Sequence, residues 1–385
     1  MQRTGREWRC AITSKERSQK GCLNLSDLLA NLAVPILAIF TALVVASFAI
    51  LLSGANPLQA YAALAAGAFG DLDSWIETIL KTTPLIIAGL GVALAFRGGL
   101  FNIGVEGQIF VGSIATVLVG TKLQAPAIIH LPLTLLAGTL AGAVWAAIPG
   151  YLKAKYGAHE VITTIMTNYI ATRIITWSIG ARGPLRKVTS VVPETNSLFE
   201  TARLPNLIAD TRLNIGFLIA LLLAVVVYIL LFRTVLGIEI RTVGMNLNAA
   251  RYCGIRVDRN IILTMALSGG LAGMAGAVQV MGLPPYNFTA GFNVGYGFDS
   301  IAVAVLGSIN PIGVVFSSFL FGAMDTGARL MQLRAKVPVE IITILQGLIL
   351  MFVSANQIIR SLYHIRVQEK EDKVNLSQGW GGGQG

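Results

Sequence analysis

Thirteen residues, Phe96-Arg97-Gly98-Gly99-Leu100-Phe101-Asn102-Ile103-Gly104-Val105-Glu106-Gly107-Gln108, place four glycines and four strongly polar side chains between two apolar runs, Leu85 to Ala95 and Ile109 to Val119. A soluble loop would hold these residues at little cost. Between lipid-embedded flanks, each polar group needs a protein partner or a water-filled cavity. Glycine at four places lets two helices approach closely or lets one helix break. The expectation is a broken or tightly packed element beside a solute pathway. The alternative is an ordinary short cytoplasmic turn.

Composition supports the lipid setting. Charged residues make up 12% and hydrophobic residues 54% of the 385, whereas soluble domains carry about 25% charged residues. The fold class is therefore an all-α polytopic membrane protein. The net charge of +10 is read as a topology signal. Basic residues are not interleaved with aromatics, so nucleic acid is excluded as a partner. Cys10, Cys22 and Cys253 show no paired spacing, which argues against a disulfide framework or metal site.

The run pattern predicts about nine to ten transmembrane helices, one of them a short half-helix. Residues 1–33 form a basic cytoplasmic segment, 34–355 the membrane domain and 356–385 a cytoplasmic tail. The first span is expected at Val34 to Leu52, followed by an Ala-rich interfacial helix ending at Gly70. Further helices are expected from Ile79 to Phe96, up to Gly120, over Leu133 to Gly150, and up to Ile179, with a turn from Lys122 to His130. Gly138 and Gly142 have the spacing of a close helix contact. Residues 181–212 read as an extracytoplasmic segment, Leu213 to Phe232 as a span, 233–259 as a cytoplasmic loop, and Ile261 to Met281 as a span. Phe298 to Leu306 is too short to cross a hydrocarbon core of about 30 Å at about 1.5 Å per residue. It is predicted to be a half-helix that turns at Gly307-Ser308-Ile309-Asn310-Pro311 and returns to Ala328. Val339 to Ser354 is the last span. Lys and Arg are concentrated on 1–33, 150–160, 233–259 and 356–385, which puts both termini inside. Arg182, Arg186 and Lys187 run against that rule.

Enzyme signatures are missing. The chain has no G-x-x-x-x-G-K-[ST], no H-E-x-x-H and no G-x-S-x-G, and His130, His159 and His364 lie far apart. Many helices, small-residue packing, a few polar groups in apolar surroundings and one basic inner loop describe a solute-conducting protein. In that loop, Asn246 is a good N-cap, Ala249 and Ala250 are helix formers and Gly254 is a stop, so residues 246–253 are predicted to form a short docking helix.

Arg241-Thr242-Val243-Gly244-Met245-Asn246 with Ala249-Ala250-Arg251-Tyr252-x-Gly254-Ile255 resembles the coupling segment of ABC importer permeases of the ribose, branched-chain amino acid and nucleoside group. Gly99-Leu100-Phe101-Asn102-Ile103-Gly104-Val105-Glu106-Gly107-Gln108 resembles the signature of the simple-sugar and nucleoside branch. Phe298 to Ala304, Leu306-Gly307 and Asn310-Pro311 resemble a third shared block. His159 to Ile170 is similar to bacterial general nucleoside permeases, and the chain resembles their larger permease subunit. The resemblance covers roughly residues 30–355. It implies a multi-pass protein of the cell (inner) membrane with no cofactor of its own. A cytoplasmic ABC ATPase would use the ATP and dock on Arg241, Gly244, Asn246, Ala249, Ala250, Arg251 and Gly254. A second permease subunit, forming a heterodimer, and an extracytoplasmic binding protein or lipoprotein would complete the importer.

For an uncharged nucleoside, Asn102, Gln108 and Asn168 are candidate hydrogen-bond partners and Phe101 an apolar face, with Glu106 as the fifth pathway candidate. Asn168 has an alternative role in joining helices. Arg97 and Glu106 are expected to pair with each other or with neighbours. In the half-helix block (Asp299, Gly307, Asn310, Pro311), Asp299 is expected to cap the positive end. Two other readings stay open: a permease for ribose-type sugars, and a stand-alone ion-coupled transporter using Glu106 and Asp299.

Overall fold

The computed structural model describes residues 25–354, apart from 209, 210, 290, 293, 294 and 339. The basic segment up to residue 24, Cys10, Cys22 and the tail 356–385 lie outside the described residues. The chain divides into two units. Residues 46–350 form the compact one, and all contacts below lie in it. The described part of the other consists of the first residues of one helix, up to Val45, and the last of another, from Met351.

The described residues are almost entirely helical, with isolated bridges in place of strands. In chain order the helices are α1 (Leu25–Leu52), α2 (Pro57–Phe69), α3 (Leu72–Arg97), α4 (Val105–Lys122), α5 (Ala127–Tyr156), α6 (Glu160–Ile179), α7 (Gly216–Arg233), α8 (Val235–Met245), α9 (Leu247–Tyr252), α10 (Val257–Gly282), α11 (Tyr296–Leu306), α12 (Pro311–Ala335) and α13 (Glu340–Ser354). Among the described residues, α3, α5, α7, α10 and α12 are long and apolar enough to cross a membrane, and a sixth span results if the bent pair α1 and α2 counts as one.

Small residues hold the centre together, as expected where apolar side chains gain nothing by leaving lipid for protein. A Cβ on Gly112 of α4 would strike the backbone of Gly273 in α10. One on Gly142 of α5 would strike Gly269 and Gly273, so the Gly138-x-x-x-Gly142 pattern is used as a helix contact. The opposite face of α5 (Leu136, Leu140, Val144, Ile148) stays exposed. The Ala-rich helix α2 buries Ala60, Ala63 and Gly67, with Gly67 against Gly327 of α12.

Several boundaries differ from the sequence reading. Helix α1 starts at Leu25, well before Val34. No turn runs through His130. Helix α5 begins at Ala127, and His130 is buried in it, its Nδ1 2.7 Å from the Thr201 hydroxyl. Pro132 lies inside this helix, where it removes one amide hydrogen bond without ending it, a loss that membrane helices tolerate. Residues 233–259 are mostly helix: Thr234 caps α8 by accepting from the Gly237 amide at 3.1 Å, and α10 starts at Val257. The segment after α6 is irregular apart from a 3-10 turn at Glu200–Ala202. It is stitched to the chain leaving α10, with Thr195 N donating to Phe288 O, Leu198 N to Tyr286 O and Leu204 N to Met281 O, each at 2.9 Å.

Replacing Gly273 with Leu should overpack this centre by about 1–3 kcal/mol or more. Detergent-extracted protein should then melt on the order of 5 °C lower. Gly347→Ala, with nothing within 4 Å of the added carbon, should melt like the parent.

Candidate functional site

The polar stretch is a genuine helix break. Helix α3 ends at Arg97, Gly98 caps it, and Gly99 takes φ +70. Gly99 lies on Gly244 of α8, with no room for a side chain between the two backbones. Leu100 is buried with Val243, Ala250 and Met265, so the break plugs into the base of α8 and α9.

The next turns are held by a closed hydrogen-bond set. The Asn102 side-chain amide donates to Gln108 Oε1 at 2.9 Å and to the Ser268 hydroxyl at 2.8 Å. Its oxygen accepts from the Gly104 amide at 3.1 Å and from Gln108 Nε2 at 2.9 Å. Asn168 of α6 accepts from Gly107 N at 2.9 Å and donates to Ile103 O at 2.8 Å. Asn102 and Gln108 are fully buried. Asn102 and Asn168 therefore satisfy backbone that a break would otherwise orphan in apolar surroundings, Gln108 holds Asn102 in place, and Asn168 joins α6 to the break. Phe101 is 54% exposed and packs its ring on Phe96, centroids 4.9 Å apart.

Arg97 and Glu106 do not pair. Glu106 accepts from the amides of Gly295 at 2.7 Å and Gly297 at 2.6 Å, at the N-terminus of the short helix α11. Gly297 has no space for a Cβ beside Glu106. At the other end of α11, Arg97 Nε donates to Ile309 O at 2.9 Å. The Arg97 guanidinium also lies 5.7 Å from the Phe232 ring, which Arg241 approaches at 5.3 Å. An anion at the N-terminus and a cation beyond the C-terminus match the helix dipole. The capping role expected of Asp299 is filled by Glu106; Asp299 sits in the fourth position of α11, and no hydrogen bond to its carboxylate occurs among the described residues. Gly307 ends α11, and Asn310 caps α12 by accepting from Ile312 N at 3.0 Å, with Pro311 in its first position.

The short helix α9 forms at the expected place. Asn246 Oδ1 accepts from Asn248 N at 2.9 Å and Ala249 N at 3.1 Å. Ala250 is buried, Gly254 takes φ +78, and Arg251 and Tyr252 are exposed. Arg241 returns to Gly237 O at 3.3 Å. The exposed knob thus stands on the residues that hold the break.

A cavity of about 380 Å³ opens beside Glu106. Phe110, Phe288, Phe292 and Phe298 line it, with Thr172 and Thr176 of α6. Sequence reasoning missed these aromatics and the glycines that Glu106 holds. The one available signal was the Gly- and aromatic-rich stretch ahead of the short apolar run.

Comparison with known proteins settles the family. The family model described as the permease component of branched-chain amino acid transport systems matches residues 74–354. The chain belongs to this permease family. It is a multi-pass protein of the cell membrane. Among its relatives, the guanosine ABC transporter permease protein NupP of Bacillus subtilis (strain 168) is 41% identical over 337 residues, covering 86% of this chain and 95% of the relative. A second guanosine permease protein of that bacterium, NupQ, is 29% identical over 261 residues (64% and 78%). The nucleoside permease protein NupB of Lactococcus lactis subsp. cremoris (strain MG1363) is 35% identical over 333 residues (85% and 91%). The glucose permease protein TsgB13 of Haloferax volcanii is 31% identical over 335 residues (84% and 87%). No solved structure matches.

In this permease, Asn102→Leu should orphan the Gly104 amide and the Gln108 side chain, at about 1–3 kcal/mol for each group left unpaired. The folded protein should be visibly less heat-stable in detergent. Phe101→Ala, at an exposed ring, should stay within about 0.5 kcal/mol of the parent in the same melting assay.

Proposed function

We propose that this chain is one permease subunit of an ATP-driven importer for nucleosides. Its similarity to nucleoside and guanosine permease proteins over most of its length carries the substrate class. The exposed, doubly capped α9 supports docking of a separate cytoplasmic ABC ATPase at Arg241, Gly244, Asn246, Ala249, Ala250, Arg251 and Gly254. This chain would bind no cofactor, and the ATPase would consume the ATP. The match to both NupP and NupQ favours a second, different permease subunit beside this one. An extracytoplasmic binding protein or lipoprotein would deliver solute, and residues 181–212 are the natural place to receive it.

With both termini inside, α4, α6 and α13 are spans alongside α1 and the five long apolar helices, and α11 is the half-helix. ATPase closure would push on α9. Leu100 and the Gly99–Gly244 contact would carry that movement into the break, and Glu106 and Arg97 would pass it to both ends of α11. In this account Asn102, Gln108 and Asn168 shape the pathway by holding its wall, and Phe101 lies at its edge. A glucose permease among the relatives favours a simple sugar as the second reading.

The test is uptake of labelled guanosine, uridine, ribose and glucose in cells expressing the chain and its partner subunits, with and without the ATPase. Nucleoside uptake should require the ATPase. Asn246→Ala, which removes a cap worth about 1 kcal/mol, should lower uptake at unchanged membrane levels, and Tyr252→Glu should abolish it. ATPase-dependent uptake of sugars alone would move the substrate. Uptake indifferent to the ATPase would overturn the proposal.

A further inference from the structure

The cavity beside Glu106 has a chemistry narrower than its role as part of a pathway requires. Its volume of about 380 Å³ falls in the range of small-molecule sites, roughly 300–1,000 Å³. Four of its lining side chains are phenylalanines, drawn from α4, the chain after α10 and α11. Phe288 anchors the set, its ring edge-on to Phe110 at 6.2 Å and 4.7 Å from that of Phe292.

Among the described residues, the polar side chains of the wall accept but do not donate. Thr172 and Thr176 give their hydroxyl hydrogens to Asn168 O at 2.9 Å and Thr172 O at 2.8 Å, so only oxygen lone pairs remain for a guest. Glu106 is already anchored by two amides and offers carboxylate lone pairs. Among the described residues, no Lys, Arg or His lines the cavity.

We infer that this cavity binds the nucleobase of an uncharged nucleoside, stacked among the phenylalanines, with base N–H or ribose O–H groups donating to Glu106, Thr172 and Thr176. An aromatic wall suits any base, because every base presents a π-face. An accept-only wall with one carboxylate and no cation rejects a phosphate. The site therefore separates nucleosides from nucleotides inside the permease, independently of any selection by a binding protein. This inference rests on the nucleoside reading above and adds the place and the chemistry of recognition.

The test uses the purified permease–ATPase complex without its binding protein, photolabelled with 8-azidoguanosine, alongside guanosine uptake by the complete importer in cells. The label should map to peptides containing Phe110, Phe288 or Phe292. Guanosine should compete for labelling, whereas guanosine 5′-monophosphate and ribose should not. Phe292→Ala should need roughly tenfold more probe for equal labelling, and Phe292→Tyr should restore it. Thr176→Arg, which places a cation in the wall, should let the monophosphate compete. If the parent importer takes up guanosine but the label lies elsewhere, or Phe292→Ala labels like the parent, the inference is wrong and the nucleoside reading stands. If the parent importer takes up sugars and no nucleoside, the reading itself fails, and the inference with it.

Discussion

The grip of one carboxylate on two backbone amides organises this permease. The short helix α11 leaves its first N–H groups without helical partners, and the Gly297 amide is buried away from water. Glu106 supplies the acceptor, and its charge meets the positive end of the helix dipole. Glycine suits both amides: Gly295 takes φ +103, which side chains disfavour, and Gly297 packs against Glu106 with no space for a Cβ. Arg97 does the complementary work at the far end through the Ile309 carbonyl. The residues that bracket the helix break therefore bracket the half-helix too.

The same break reaches the exposed knob at α9. Gly99 lies on Gly244, and Leu100 shares a buried cluster with Val243 and Ala250. The helices α8 and α9, the break and α11 form one continuous chain of close contacts. Most of those contacts are backbone on backbone or buried hydrogen bonds, which transmit displacement better than flexible side chains do. The irregular segment after α6 joins this chain through Thr195 and Phe288, next to the aromatic cavity.

Much of this was legible in the residues. Four glycines with four polar groups between apolar runs marked the break, the length of Phe298 to Leu306 marked a short helix, and Asn246 marked the start of α9. Each rests on a local rule of chain length, capping or glycine content. The partners were not legible. Glu106 finds its amides 189 residues away, and no local pattern announces a contact at that separation. Capping was therefore assigned to Asp299, the nearest acid in sequence. The cavity escaped for the same reason, since its phenylalanines come from separate segments and each alone looks like ordinary membrane core. The start of α5 was misplaced because Pro126 and Pro132 resemble turn residues, although Pro126 sits at the opening of the helix and Pro132 is accommodated inside it.

Hydrogen–deuterium exchange on the intact complex, comparing the parent with Glu106→Gln, tests the central contact most directly. If Glu106 holds the half-helix by charge-assisted bonds, amides from Gly295 to Leu306 should exchange on the order of tenfold faster in the variant, while α5 and α10 keep their protection. Unchanged protection across 295–306 would contradict this account and leave the half-helix standing on its packing alone.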